Sequence, residues 1–206
     1  MTQVSSQTPT PQAVSAPSFG AHLADPGPLG LGAFALTTFI LSSFNSGLMP
    51  KSVEGVVLGV ALFYGGIAQL FAGMWEFAKG NTFGALAFSS YGAFWMSFWY
   101  LVAHTDLSKA GADAAKGVGL FLLAWTIFTI YMTAVAARIS GILLLLFSAL
   151  SLTFVFLTIG KFGGSDGMTA VGGWLGLVTA FVAWYASFAG LMNITAKRVV
   201  MPTWPR

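Results

Sequence analysis

Six apolar blocks divide the chain, at about 29–48, 55–75, 84–103, 118–137, 141–160 and 171–195. Each has close to the roughly 20 residues an α-helix needs to cross about 30 Å of hydrocarbon. Short polar breaks separate them: "MPKSVE", "EFAKGN", "HTDLSKAGADAAK", "RISG" and "KFGGSDG". A segment in lipid must satisfy its own backbone, so each block is predicted to be a transmembrane helix. The expected fold is an all-α integral membrane protein, a bundle of six spans over residues 25–198. Residues 1–24, rich in Ser, Thr, Pro and Gln and without Lys or Arg, lack the basic start and apolar core of a secretory signal. They are expected to be a disordered tail, and 199–206 a short C-terminal one.

Composition supports that solvent assignment. The 206 residues are 56% hydrophobic and only 7% charged, against about a quarter charged in soluble domains. All fifteen charges fall in the breaks, at block edges or in the tails, where none pays the cost of mid-membrane depth. An even span number puts both termini on one side. Lys79, Arg138, Lys197, Arg198 and Arg206 share that side, and Lys51, Lys109, Lys116 and Lys161 lie opposite. All three arginines are on the terminal side, and the opposite lysines are diluted by Glu54, Asp106, Asp113 and Asp166, so the termini are expected in the cytoplasm. Trp75, Trp99 and Trp174 sit near span ends, as interfacial belts do.

The sequence narrows the chemistry mostly by exclusion. There is no cysteine, and His22 and His104 are too few for a metal site, so no cofactor or metal is expected. A net charge of +3 gives no reason to expect a nucleic-acid partner. No phosphate loop or Ser–His–Asp arrangement suggests an enzyme. Glu54 and Glu76 lie at block edges and read as solvated or paired with nearby lysines.

Neutral polar groups inside the spans are the positive signal. The first carries Thr37, Thr38, Ser42, Ser43, Asn45 and Ser46, with Thr38, Ser42 and Asn45 on one helical face. The second carries Tyr64 and Gln69, and the third Ser89, Ser90, Tyr91 and Trp95. Buried polar groups need partners, and these can bond one another or nearby backbone. They can also form a shared track for a small polar solute, offering hydrogen bonds without a fixed charge that would trap it. At the head of the first span, "ADPGPLGLGAF" places Asp25 as a helix cap, with Pro26 and Pro28 stiffening the first turn. Gly30 and Gly32 allow close approach of a neighbour or a solute. "GVVLG" (Gly55 to Gly59) and "GGWLG" (Gly172 to Gly176) have the small-residue spacing of helix contacts.

"DPGPLGLGAF", "FYGGIAQLFAGMWEFAKGNTFGALAFSSYGAFW" and "GGWLGL" resemble the acetate uptake transporter family, which includes bacterial succinate–acetate permeases and fungal ammonia/acetate proteins. The likeness runs from about residue 25 to the end and is densest in the first three spans. It implies six helices around a narrow pore in each subunit, gathered as a homohexamer in the cell membrane. It also implies passage of acetate, succinate and other short carboxylates, by proton symport or as an anion channel. By motif, Phe34 and Tyr91 match the family's apolar constriction and Leu150 supplies its third member. Asn45, Gln69, Thr37 and Thr38 match positions near the solute path. The opening signature comprises Asp25, Pro26, Pro28, Leu29 and Gly30. Two departures stand out: Asp25 replaces the usual Asn, and Gly190 stands where bacterial relatives can carry a glutamate. A passive channel for urea, ammonia or acetic acid, or a non-transporting sensor or scaffold with solidly packed helices, would use similar residues.

Overall fold

The computed structural model describes residues 19–111 and 113–206. Among them run six long helices: α1 (Gly27–Asn45), α2 (Val56–Lys79), α3 (Thr82–His104), α4 (Asp113–Ala136), α5 (Gly141–Gly163) and α6 (Asp166–Ala196). All but α3 are long and apolar enough by hydropathy to cross a membrane. α3 is less apolar because it carries the hydroxyls of Ser89 and Ser90 and the polar-tipped rings of Tyr91, Trp95, Trp99 and Tyr100. Its 23 residues still reach about 34 Å at 1.5 Å per residue. The protein is a multi-pass membrane protein.

Several helices overrun the expected spans at their polar ends. α4 begins at Asp113 and α6 at Asp166, where Ser165 Oγ accepts the Met168 amide at 3.3 Å. Hydropathy marks the lipid-facing length, whereas caps mark where the helix starts. Residues 1–18 of the expected tail lie outside the described residues. Phe19–His22 form a turn of 3-10 helix against the end of α2.

Neighbouring helices pack in the order α3, α2, α1, α6, α5, α4. The ring closes between α3 and α4 through side chains rather than close backbone approach. Tyr91 stacks edge-on to Phe128 at 5.4 Å, and Phe94 lies parallel to Phe121 at 5.7 Å. Hydroxyl pairs fasten two further seams: Thr126 to Thr158 at 3.0 Å and Thr133 to Ser151 at 2.9 Å between α4 and α5, and Thr153 to Thr179 at 3.3 Å between α5 and α6. In lipid, such pairs satisfy groups that would otherwise be orphaned.

The two glycine motifs behave differently. Gly172, Gly173 and Gly176 on α6 lie directly under α5 or α1, whereas a Cβ on Gly55 or Gly59 would meet nothing. Among the described residues, Gly55 and Gly59 therefore make no close helix contact, although Val57 between them is buried. α2 is not a regular helix: Phe63–Ala68 wind as a wider π turn. A Cβ on Gly65, in that turn, would strike Thr37.

Past α6, the chain doubles back across the α4–α5 turn. Asn193 anchors it, accepting the Val200 and Met201 amides at 2.8 and 2.9 Å and donating to the Met201 carbonyl at 2.9 Å. Further on, the Trp204 carbonyl accepts the Gly141 amide at 2.8 Å, so this segment caps the start of α5. Asn193→Ala removes three hydrogen bonds, each of about 1 kcal/mol. Hydrogen exchange at Gly141 is then expected to speed at least about tenfold, and an unchanged rate would show that the strap holds without Asn193.

Candidate functional site

Three cavities follow one another through the ring. The first opens on the side where α1, α3 and α5 begin and α2 ends. It measures about 180 Å³ and carries Asp25, Gln69, Glu76 and Asn81 among apolar walls from Phe83, Phe88, Leu143, Leu146 and Phe147. Its inner end is Phe34, Tyr91 and Leu150, all buried. A second space of about 40 Å³ shares Phe34 and Leu150 and adds Thr38, Ser42, Asn45, Trp95 and Thr153. A third, about 480 Å³, shares Leu41, Asn45, Phe94, Phe154 and Leu157 with the second and reaches Glu54 and Lys161. Two vestibules thus meet through a small chamber, with an apolar collar at either end of it.

The collar positions follow from the helices. Phe34, Tyr91 and Leu150 come from α1, α3 and α5, which face the centre. Phe34 and Tyr91 have ring centroids 5.5 Å apart. The Tyr91 hydroxyl is paired with Thr129 Oγ1 at 2.9 Å, which ties it to α4. That pairing leaves the ring to form the wall. The second collar, with Phe94 edge-on to Phe154 at 5.4 Å, is not among the residues the sequence singled out.

Polar atoms without partners lie along this route. Gln69 Oε1 in the first vestibule, and Thr38 Oγ1 and Trp95 Nε1 in the chamber, are buried and unpaired. An orphaned buried polar atom costs about 1–3 kcal/mol. Satisfying these three atoms takes partners that the described residues do not supply. Ser89 Oγ is also unpaired, but it packs where Gly73 brings α2 against α3.

Of the candidate residues, Phe34, Thr38, Asn45, Gln69, Tyr91, Trp95 and Leu150 line the cavities together. Thr37 and Tyr64 do not. Thr37 is fully buried against α2, its hydroxyl donating to the Ala33 carbonyl at 2.9 Å. Tyr64 is half-buried with its hydroxyl beside Gly32, away from the cavities. In the signature, Asp25 Oδ1 accepts the Gly27 amide at 2.9 Å, while Pro26 occupies the N-cap position. Pro28 gives its carbonyl to Ser187 Oγ of α6 at 2.6 Å, and Leu29 is exposed. Gly30 must be small, since a Cβ there would press into the Phe88 ring at 2.6 Å. Gly190 lies beside Pro28 where α6 meets α1.

Glu76 corrects the sequence reading. It is 3% exposed and lines the first vestibule, hydrogen-bonded by Asn81 Nδ2 at 2.9 Å. It is neither solvated nor paired with a lysine, the two readings its sequence position offered, since nearby Lys79 reaches instead toward Asp25 Oδ2 at 3.8 Å. The missed signal was spacing: Glu76 follows Gln69 by seven residues, which puts the two on one helical face.

The GPR1/FUN34/yaaH family model matches residues 6–205. Accumulation of dyads protein 2 of Saccharomyces cerevisiae is 46% identical over 198 residues, covering 92% of this chain and 69% of the yeast protein. The succinate-acetate/proton symporter SatP of Escherichia coli K12 is 37% identical over 180 residues, covering 87% of this chain and 95% of SatP. The chain spans about two thirds of the length of its fungal relatives. Among solved structures, the bacterial acetate channel SatP superposes with a TM-score of 0.80 at 37% identity, over 88% of this chain and 99% of the channel.

Proposed function

The chain belongs to the GPR1/FUN34/yaaH family, and from that premise we propose that it carries acetate and related short-chain carboxylates across the membrane through the Phe34–Tyr91–Leu150 neck. The observation that carries the reading is the run of unpaired polar atoms, Gln69 Oε1 before the neck and Thr38 Oγ1 and Trp95 Nε1 beyond it. A charged lining would hold a carboxylate or repel it, whereas hydroxyl and indole donors beyond the neck replace part of the anion's hydration shell, and the Gln69 amide oxygen before it accepts the O–H of the protonated acid. The rings exclude larger solutes. Solidly packed helices, as a scaffold would have, leave no such chain of cavities. Residues 25–198 form the transporting unit.

The same reading places the protein in the plasma membrane with both termini cytoplasmic. The terminal-side arginines Arg138, Arg198 and Arg206 support that orientation. Resemblance to the acetate uptake transporters supports assembly as a homohexamer.

The test is flux of labelled acetate, succinate, lactate and urea into proteoliposomes under an imposed pH gradient. Carboxylate entry above protein-free vesicles is expected, and its absence overturns the proposal. Gln69→Ala removes one polar partner before the neck and should lower acetate flux about tenfold, the equivalent of about 1.4 kcal/mol in the barrier. Gln69 is 1% exposed, so its truncation also removes buried volume, and the melting temperature and size-exclusion profile of the variant are measured beside flux to separate packing from passage. Unchanged flux would remove Gln69 from the path.

A further inference from the structure

A carboxylate conduit with a buried acid inside its mouth calls for an account of that acid. Glu76 is 3% exposed on the wall of the first vestibule. Space is made for it on both sides by glycine. A Cβ on Gly84 would lie 2.8 Å from its Cδ, and one on Gly27 would lie 3.6 Å from Oε1. Among the described residues, the charged groups that face it are Asp25 at the entry of α1 and Lys79 on its own helix. These two sit 3.8 Å from one another. From α3 comes only the neutral donor Asn81, on Oε2.

An independent observation points to a ligand. Gln69 is 1% exposed, lines the same cavity, and its Oε1 has no donor. It stands about 10 Å further in, along the same face of α2. An unpaired acceptor needs an O–H or N–H. An ionised carboxylate offers neither and meets only the Nε2 end of the Gln69 amide, whereas a protonated carboxylic acid offers an O–H to Oε1. The next step inward is the apolar neck, where a bare charge is most costly.

We propose that Glu76 is the proton-exchange site of this vestibule, a role that rests on the carboxylate transport argued above. The O–H bond of the Glu76 carboxylic acid breaks as an O–H bond forms on the solute carboxylate, leaving Glu76 ionised and the solute neutral. Glu76 is reprotonated from the bulk solution at the mouth, so one proton leaves that solution with each carboxylate. The neutral acid then donates to Gln69 Oε1 and passes the neck. A solute arriving through the neck follows the reverse course, giving its proton to ionised Glu76 and leaving as the anion.

Proteoliposomes holding the full chain test this with labelled acetate and a trapped pH dye. In wild type, protein-dependent proton entry should accompany acetate entry at neutral pH. The acetate rate should then fall with pH more gently than the neutral-acid concentration does. Glu76→Gln should lose that advantage and follow the neutral acid, dropping about tenfold per pH unit above the acid's own pKa. Glu76→Asp should restore the gentler profile. A Glu76→Gln profile matching wild type overturns the proposal while leaving transport standing, as does a Glu76→Asp profile no better than Glu76→Gln. Wild-type acetate entry without protein-dependent proton entry overturns it without any variant. Absence of acetate entry in wild type would instead sink the transport reading.

Discussion

Leu150→Ala is expected to turn a size-selective passage into a permissive one. Leu150 is 4% exposed and borders both the 180 Å³ vestibule and the 40 Å³ chamber. Cutting it back removes one of the three walls at the point where those spaces meet. Discrimination by a hydrophobic wall is worth about 1–3 kcal/mol per methylene. Losing that wall should raise butyrate flux relative to acetate by about tenfold or more. The truncation also costs stability, about 2–5 kcal/mol for a fully packed Leu. The lower part of that range applies here, because one side of Leu150 already faces cavity. Thermal unfolding followed by size-exclusion yield separates the two effects. A butyrate-to-acetate ratio equal to wild type in properly assembled protein would show that the size filter lies elsewhere, the Phe94–Phe154 collar being the next narrowing along the route.

Much of this route was legible in the residues, for reasons that can be named. Thr37 and Thr38 are adjacent, so about 100° of helical rotation separates them and only one can face the centre. The stripe of Thr38, Ser42 and Asn45 selects Thr38, and these three do line the chamber together. Family motif placed Thr37 beside the path as well, but rotation puts it against α2. Tyr64 and Gln69 looked alike as polar interruptions in one apolar block. Tyr64 lies within the π turn Phe63–Ala68 and Gln69 directly follows it, a change of winding that apolar periodicity does not reveal, and only Gln69 reaches the vestibule. Glu76 was hidden by its position in a polar break. A break marks where the lipid-facing surface ends, and says nothing about whether the inward side remains buried. The second collar escaped for a related reason: in a chain with nineteen Phe, no local pattern distinguishes Phe94 and Phe154 from rings that face lipid.

Gly173→Val is expected to be the most damaging single change to the fold. The α1–α6 contact is the most extensive in the ring, and at Gly173 it becomes backbone against backbone. A Cβ there would collide with the main chain of Asn45 and Ser46. Flexible side chains can swing aside, but this stretch cannot: it is the end of α1, where the Ser46 amide closes on the Ser42 carbonyl at 2.9 Å. Overpacking a well-filled site costs about 1–3 kcal/mol, and occasionally more. Valine adds two further methyl groups to the colliding Cβ, so the upper end or beyond is expected. Pushing α6 away would also shift Gly176 and Thr179 from Ser42 and Thr153, which lie against the chamber. Flux should therefore fall with yield rather than independently of it. Gly117→Ala is the matched control: it too is a helical glycine, but a Cβ there meets nothing. It should be neutral or stabilising by up to about 1 kcal/mol through helix propensity. Detergent-solubilised melting curves would decide the matter, and a Gly173→Val protein that melts with wild type would show that α1 and α6 do not approach this closely.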